Sequence, residues 1–301
     1  MKLLTFRTDN RTRLGLLTKD RVIDLANANT HLFNEPAPSD MLTFLDQGET
    51  TMTKARRLLN AAQKNWKTLQ QTPNTTYNIG DVQILAPIPH PRKNIICLGL
   101  NYSDHSKEFG QPVPQYPIFF TKPPTSIIGP DEPILYPKNT REVDFEAELA
   151  FIFGKRGKNV SEEDAYDYIA GYTVFNDVTV RNFQRNHDQW FKGKSLDTFA
   201  PMGPYLITKD EISDPHNLNF SLELNGTVMQ KSNTSNMIFK IPTLVKYIAM
   251  DMTVEPGDIV ATGTPSGVGY RRNPPIFLKP GDIVKISVEK VGVLQNRVVS
   301  Q

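Results

Sequence analysis

One segment limits the folds open to this chain more than any other. It reads Val143-Asp144-Phe145-Glu146-Ala147-Glu148-Leu149-Ala150-Phe151-Ile152-Phe153. In a strand, successive side chains point to opposite faces. A strand over Asp144–Phe153 therefore puts Phe145, Ala147, Leu149, Phe151 and Phe153 on one apolar face. Asp144, Glu146 and Glu148 share the other face. The apolar face needs a core to pack on. Residues two apart in a strand lie ~7 Å apart, so two glutamates at that spacing can converge on one ion. The commoner reading of such a strand is one face in water. Against it, three like charges with no Lys or Thr between them repel one another unless something positive lies close. A divalent cation meets that need, and carboxylate oxygens suit Mg or Mn.

The remaining sequence supports a β-rich fold. Short strands are expected at Lys2–Arg7, Arg13–Leu17 and Val22–Leu25, followed by one strongly amphipathic helix over Thr51–Gln71. A polar, turn-rich stretch and the cluster Pro87, Pro89, Pro91 then place a domain boundary near residue 80. Residues 1–80 read as a small N-terminal α/β unit and residues 81–301 as the larger domain. Its strand candidates are Asn94–Gly99, Ile118–Lys122, Asp144–Phe153, Gly171–Asn176, Phe220–Leu224, Asp258–Thr262, Asp282–Glu289 and Val293–Val299. Asn225-Gly226 marks a hairpin turn. Helices are expected only over Ser161–Ile169, Val178–Asp188 and Thr243–Met250. Strands and helices do not alternate regularly. That argues for a mixed α+β, β-rich fold over a doubly wound sheet or a (β/α)8 barrel.

Composition narrows the function classes. The 301 residues are 39% hydrophobic and 22% charged, which excludes a disordered chain. The net charge is +2 with no dense Lys/Arg cluster, so no nucleic-acid partner is expected. The longest apolar run, Leu149–Phe153, is far short of a membrane span, so no membrane partner is expected either. The opening MKLLTFRTDNRTRLG turns polar too early for a secretory signal. The single Cys97 cannot form an internal disulfide or a multi-cysteine zinc site. The expectation is a soluble, cytoplasmic protein.

Four further segments carry candidate chemistry. Gly171–Gln184 supplies Asp177 where a hydrophobic strand meets a polar helix; Arg181 and Gln184 share its face if the helix starts there. Taken alone, Asp177 is better explained as an N-cap. His105 and Glu108 can touch in a helical turn, and a carboxylate beside a histidine raises its basicity, as a general base requires. A lone pair of this kind is usually a surface pair, but this one follows a buried strand in a segment, Asn101–Gln115, that reads as a lid. Asp258–Gly269 is a strand running into a glycine-rich loop without a P-loop or dinucleotide signature. Its N–H groups and the hydroxyls of Thr264 and Ser266 can hold a carboxylate, or the loop is a plain tight turn. Lys192 and Lys194 sit among small and apolar residues; buried, one would face an oxyanion, and exposed, both would be surface lysines.

Together these stretches resemble the fumarylacetoacetate hydrolase superfamily. The matching segments are CLGLNYSDHSKE (97–108), FFTKPPTS (119–126), VDFEAELAFIFGK (143–155), GYTVFNDVTVRNFQ (171–184), KGKSLDTFAPMGP (192–204), LNGTVMQ (224–230) and EPGDIVATGTPSGVG (255–269). They run in family order and cover most of residues 85–301. The resemblance implies a mixed β-sandwich roll, a homodimer, and one Mg or Mn ion held by Glu146, Glu148 and Asp177. It further implies His105 and Glu108 as the dyad that activates water and Lys194 as the lysine facing substrate oxygens. Arg181, Gln184, Thr264 and Lys122 would contact the substrate. The implied partner is a small 2-oxo acid. The implied reaction is carbon–carbon cleavage through an enolate, by acylpyruvate-type hydrolysis or oxaloacetate-type decarboxylation. Isomerisation of a 2-hydroxy-dienoate is the alternative chemistry, and a non-catalytic scaffold the alternative of another class. Leu100 stands where the acylpyruvase branch often carries arginine, which sets those substrate contacts apart. The extra N-terminal unit is similar to that of longer bacterial members.

Overall fold

The computed structural model describes residues 1–104, 108 and 112–301. The alternating segment lies at the centre of the larger of two main sheets. Ala147–Phe153 pairs antiparallel with Ile169–Asn176 on one side and Ile259–Ala261 on the other. Every residue of Ala147–Phe153 is buried, so neither face meets water. Leu149, Phe151 and Phe153 pack into a core shared with Phe220, Leu222, Ile286 and Leu294 of the second sheet. Ala150 and Ile152 point the other way, into a core with Met52, Ala55 and Leu58 of the helix Glu49–Lys64.

The strand is also shorter than Asp144–Phe153. Val143–Asp144 pairs separately with Thr179–Val180, and Phe145 and Glu146 lie between the two pieces. Side chains there take up backbone donors that a ladder would have used. Phe145 N donates to Asp144 Oδ1 at 2.9 Å, and Glu146 N to Asn176 Oδ1 at 3.1 Å.

From edge to edge, the larger sheet runs Thr76–Asn78, Arg21–Asp24, Arg11–Thr18, Lys2–Thr8, Ala200–Thr208, Ile169–Asn176, Ala147–Phe153, Ile259–Ala261, Ile95–Gly99, Ile118–Lys122. The pairing of Lys2–Thr8 with Ala200–Thr208 carries the sheet from the N-terminal region into the rest of the chain. The second sheet runs Thr227–Asn233, Asn219–Leu224, Ile283–Val288, Gly292–Ser300, Ile134–Tyr136. The result is the β-rich sandwich roll that the sequence implies.

Several elements differ from expectation. Ala200–Thr208 is a central strand absent from the sequence reading, because Pro201 and Pro204 make the stretch read as a non-strand. Thr51–Gln71 is two helices, Glu49–Lys64 and Trp66–Gln71. The break falls at Asn65, whose Nδ2 donates back to Ala61 O at 2.9 Å. Leu25–Phe33 and Met41–Asp46 are added helices, each opened by an aspartate, Asp24 and Asp40, that accepts an N–H of its first turn. The Ser161–Asp164 capping contacts form, yet they lead only into a short 3-10 turn at Ala165–Tyr168. The Val178–Asp188 helix is only Arg181–Asn186, because Thr179–Val180 is drawn into the pairing with Val143–Asp144.

Candidate metal centre and active site

Glu146, Glu148 and Asp177 meet where these strands end. One carboxylate oxygen from each lies within 4.8 Å of the others, and all three residues are buried. Asp177 follows the strand Ile169–Asn176 directly and donates its N–H to Glu146 O at 3.0 Å, which locks the two segments together. It is not a helix N-cap, since the helix starts four residues later, after Val180. Glu148 Oε2 accepts from Gly263 N at 2.8 Å, while its Oε1 is buried without a hydrogen-bond partner. Burial, then the Asp177 and Glu146 carboxylates, push Glu148 well above the usual carboxylate range. Three converging carboxylates, one with an unsatisfied buried oxygen, form the hard all-oxygen donor set that a divalent cation takes. The residues present fit such an ion.

Gly263 is required where it stands. Its φ of +96° lies in the region that disfavours side chains, and a Cβ there would come within 2.9 Å of Asn101 Cβ. This is the turn that aims the N–H at Glu148.

Three buried cations surround the cluster. Lys194 Nζ lies 2.6 Å from Asp177 Oδ2 and 2.9 Å from Glu146 Oε2. Burial works against its charge, but Asp177 and Glu146 outweigh this and hold the ammonium above its ordinary range. Lys192 is exposed, so the two lysines divide between the two sequence readings. Lys122 is fully buried and bonds Asp177 Oδ1 and Val178 O. Burial draws its pKa down despite Asp177. It touches the cluster through Asp177 and is not among the residues that line the cavity over it. Arg181 joins Asp144 to Glu146, and burial fails to offset the pull of those two carboxylates, so its pKa is raised.

A cavity of about 570 Å³ opens over this cluster, lined among others by Glu146, Lys194, Gln184 and Thr264. Leu100, Phe120 and Trp190 form an apolar part of its wall. Phe120 and Trp190 meet edge to face at 5.5 Å, and Trp190 covers Gly99 so closely that a Cβ there would sit 2.3 Å from its ring. Thr264 Oγ1 accepts from Gln230 Nε2 at 2.9 Å, while Gln230 Oε1 accepts from Ala147 N at 2.9 Å. Gln230 thus fixes Thr264 to the central strand. The sequence reading includes its segment, LNGTVMQ, but not its role.

His105 lies outside the described residues. Glu108 docks on the glycine-rich loop: its Oε1 accepts from Gly267 N at 3.0 Å and its carbonyl from Arg271 Nη2 at 3.0 Å. Ser266 Oγ reaches Asp104 Oδ2 at 3.3 Å instead of facing the cavity. Of the expected lid Asn101–Gln115, residues 105–107 and 109–111 lie outside the described residues, and its first residue, Asn101, is anchored. That residue is fully buried, with its Nδ2 on Thr262 O at 2.8 Å and its Oδ1 accepting from Phe239 N at 2.8 Å. Tyr102 is fully buried as well.

Residues 94–299 match the family model described as fumarylacetoacetate (FAA) hydrolase C-terminal. The chain belongs to that family. It is 43% identical over 305 residues to the oxaloacetate tautomerase fahd2, mitochondrial, of Xenopus laevis, covering 99% of this chain and 90% of the relative. It is 41% identical over 303 residues to the oxaloacetate tautomerase YisK of Bacillus subtilis (strain 168), covering 99% of this chain and 100% of the relative. The solved maleylpyruvate hydrolase of Sphingobium sp. SYK-6, in complex with manganese(II) and pyruvate, superposes with a TM-score of 0.77 at 31% identity, covering 100% of this chain and 99% of that one. The family, the fold and the enzymatic nature expected from the sequence are thereby borne out.

Proposed function

We propose that this enzyme forms and uses the enolate of a small 2-oxo acid of the oxaloacetate type, with one divalent cation, Mg or Mn, on Glu146, Glu148 and Asp177. The observation that carries this reading is the buried three-carboxylate cluster, with its unsatisfied Glu148 Oε1, beside the Lys194 ammonium. A divalent ion bound there supplies Lewis-acid polarisation of the substrate's 2-oxo oxygen. Lys194, itself buried, adds a fixed positive charge, which stabilises negative charge on the enolate oxygen more than bulk water does. Thr264, held by Gln230, offers its hydroxyl side to a substrate carboxylate. Leu100, Phe120 and Trp190 give the substrate a largely apolar wall to pack against. His105, assisted by Glu108, moves the proton: from water in hydrolysis, or from the carbon next to the oxo group in enol–keto exchange.

Carbon–carbon cleavage and tautomerisation share this enolate, which is why one residue set serves both. The maleylpyruvate hydrolase neighbour supports cleavage, and the two relatives named oxaloacetate tautomerase favour proton exchange as a second reading. The reading includes a homodimer in the cytoplasm. Tyr116, Ile118, Phe119 and Phe191 are large apolar side chains exposed along or near the edge strand Ile118–Lys122, a surface suited to a second copy. Sedimentation tests that part.

The deciding experiment offers oxaloacetate and acetylpyruvate to protein stripped by chelator and reloaded with Mg or Mn. Enol decay, carbon dioxide release and pyruvate formation are followed separately. Metal-dependent turnover in any channel supports the reading. No turnover of any 2-oxo acid with either metal returns the chain to the scaffold alternative.

A further inference from the structure

The resemblance makes Arg181 a substrate contact, and it does line the cavity, but three of its guanidinium N–H groups are held by protein oxygens. The residue is 3% exposed. Its Nε donates to Asp144 Oδ2 at 2.8 Å, its Nη2 to Glu146 Oε1 at 2.6 Å, and its Nη1 to Gln184 Oε1 at 3.0 Å. Asp144 is in turn fixed from two segments. Its Oδ1 accepts from Phe145 N at 2.9 Å and Gly269 N at 2.8 Å, and its Oδ2 from Tyr270 N at 3.1 Å. Gly269 is needed for that approach, because a Cβ there would sit 2.6 Å from Asp144 Oδ1 and 1.9 Å from Ile276 O. The Tyr270 ring lies 5.9 Å from the Arg181 guanidinium carbon.

We propose that Asp144 and Arg181 form a buried clamp that sets the orientation of Glu146 as a metal ligand, so that towards the metal Arg181 is a positioning residue, whatever it also offers the substrate. A glutamate joins the chain through three rotatable bonds, and its carboxylate direction is not fixed by the backbone alone. The clamp holds Oε1 and leaves Oε2 directed to the side where Lys194 stands. Partners of this kind orient ligands and tune metal affinity. Asp144, which shares the acidic stripe with Glu146 and Glu148 in the sequence, acts through Arg181 and not as a fourth ligand. The inference rests on the assignment of Glu146 to the metal set.

Charge and position make opposite predictions, which gives a test. Asp144→Asn removes a negative charge and Arg181→Met removes a positive one. If only charge mattered, cation affinity would fall in the first variant and rise in the second. The clamp requires both to weaken Mn(II) binding, by about 10–100-fold. The readout is a titration of the full-length, metal-stripped protein followed by the electron paramagnetic resonance of free Mn(II), with circular dichroism confirming the fold. Arg181→Lys keeps the charge but loses the planar fork whose separate nitrogens hold Asp144 and Glu146 in fixed directions, so it should weaken binding too. It decides the matter if Arg181→Met does not fold. Opposite signs for the first two variants, or unchanged affinity in Asp144→Asn and Arg181→Lys, overturn the clamp. Glu146→Gln, measured alongside, separates the two levels. If it binds Mn(II) like the parent, the metal assignment fails and the clamp with it. If it loses Mn(II) while the clamp variants do not, the clamp alone fails.

Discussion

The two glutamates of the cluster sit two residues apart yet live in different surroundings. Glu146 is held between Arg181 and Lys194, at 2.6 and 2.9 Å. Glu148 has Gly263 N–H on one oxygen and no hydrogen-bond partner on the other. The first is paired with two protein cations; burial and two neighbouring carboxylates work against the charge of the second. Cation-paired and unpaired carboxylates therefore coexist in one ligand set, and the same mutation should destabilise the protein at the first and not at the second.

Glu146→Gln should have the largest effect. It leaves Arg181 and Lys194 without a shared counter-charge, which typically costs about 3–5 kcal/mol, and it removes a ligand. Urea unfolding and Mn(II) titration should both register the loss. Next in size, adding Mn(II) or Mg(II) at a hundred times its dissociation constant should stabilise the parent by about 2.7 kcal/mol. Neither glutamine variant should gain from it at that concentration, as differential scanning calorimetry can check.

Glu148→Gln should also lose the metal, yet leave the metal-free protein at least as stable as the parent. The amide oxygen keeps the Gly263 bond, while a carboxyl whose charged form the site disfavours is replaced by a neutral group. Equal destabilisation of both variants would erase the contrast between the two glutamates. A smaller effect follows from the cavity wall. Gly99→Ala should displace Trp190, shift its fluorescence and lower turnover about tenfold, equivalent to about 1.4 kcal/mol. It should leave Mn(II) affinity unchanged, since Gly99 touches no ligand.

The smallest effect lies away from the cluster and serves as its control. His216 Nε2 accepts from Ile241 N at 3.4 Å at the start of the helix Ile241–Ala249. Burial, then Lys240, pull its pKa from 6.5 down to about 4. The folded chain therefore excludes a proton that the unfolded chain binds below about pH 6.5. The contribution is complete above pH 6.5 and lost as pH falls from there towards 4. His216→Gln should lose less melting temperature between pH 7 and pH 5 than the parent; an equal loss would mean His216 does not exclude the proton.

The site was more legible in the sequence than the sheet around it. Glu146, Glu148 and Asp177 are separated along the chain, but a strict two-residue period and a strand-to-helix junction mark their positions, and both signals are local. Ala200–Thr208 carries no such mark, because its prolines hide a strand whose place is set by partners far along the chain. The wholly buried state of Ala147–Phe153 was hidden for a related reason. Alternating polarity implies water on one side, and only the folded chain reveals that the polar side chains lie at one end, over the cluster, while Ala150 and Ile152 enter a second core. Arg181 and Lys122 were recognisable as site residues, but their roles depend on which acceptors surround them. A one-dimensional pattern does not encode that.

The pairing of Leu3 with Leu206 gives the chain a problem of timing. At typical synthesis rates of about 5–20 residues per second, roughly 10–40 s separate the emergence of the two strands. During that interval the hairpin of Lys2–Thr8 and Arg11–Thr18 lacks the later neighbour of Lys2 and Leu3, while Phe6 and Arg7 of the same edge find Ile84 and Gln83 much sooner. Such an edge can recruit another nascent chain. Expression at lower temperature, or with chaperones that shield open β edges, should therefore raise the soluble yield more than any change to the catalytic pocket.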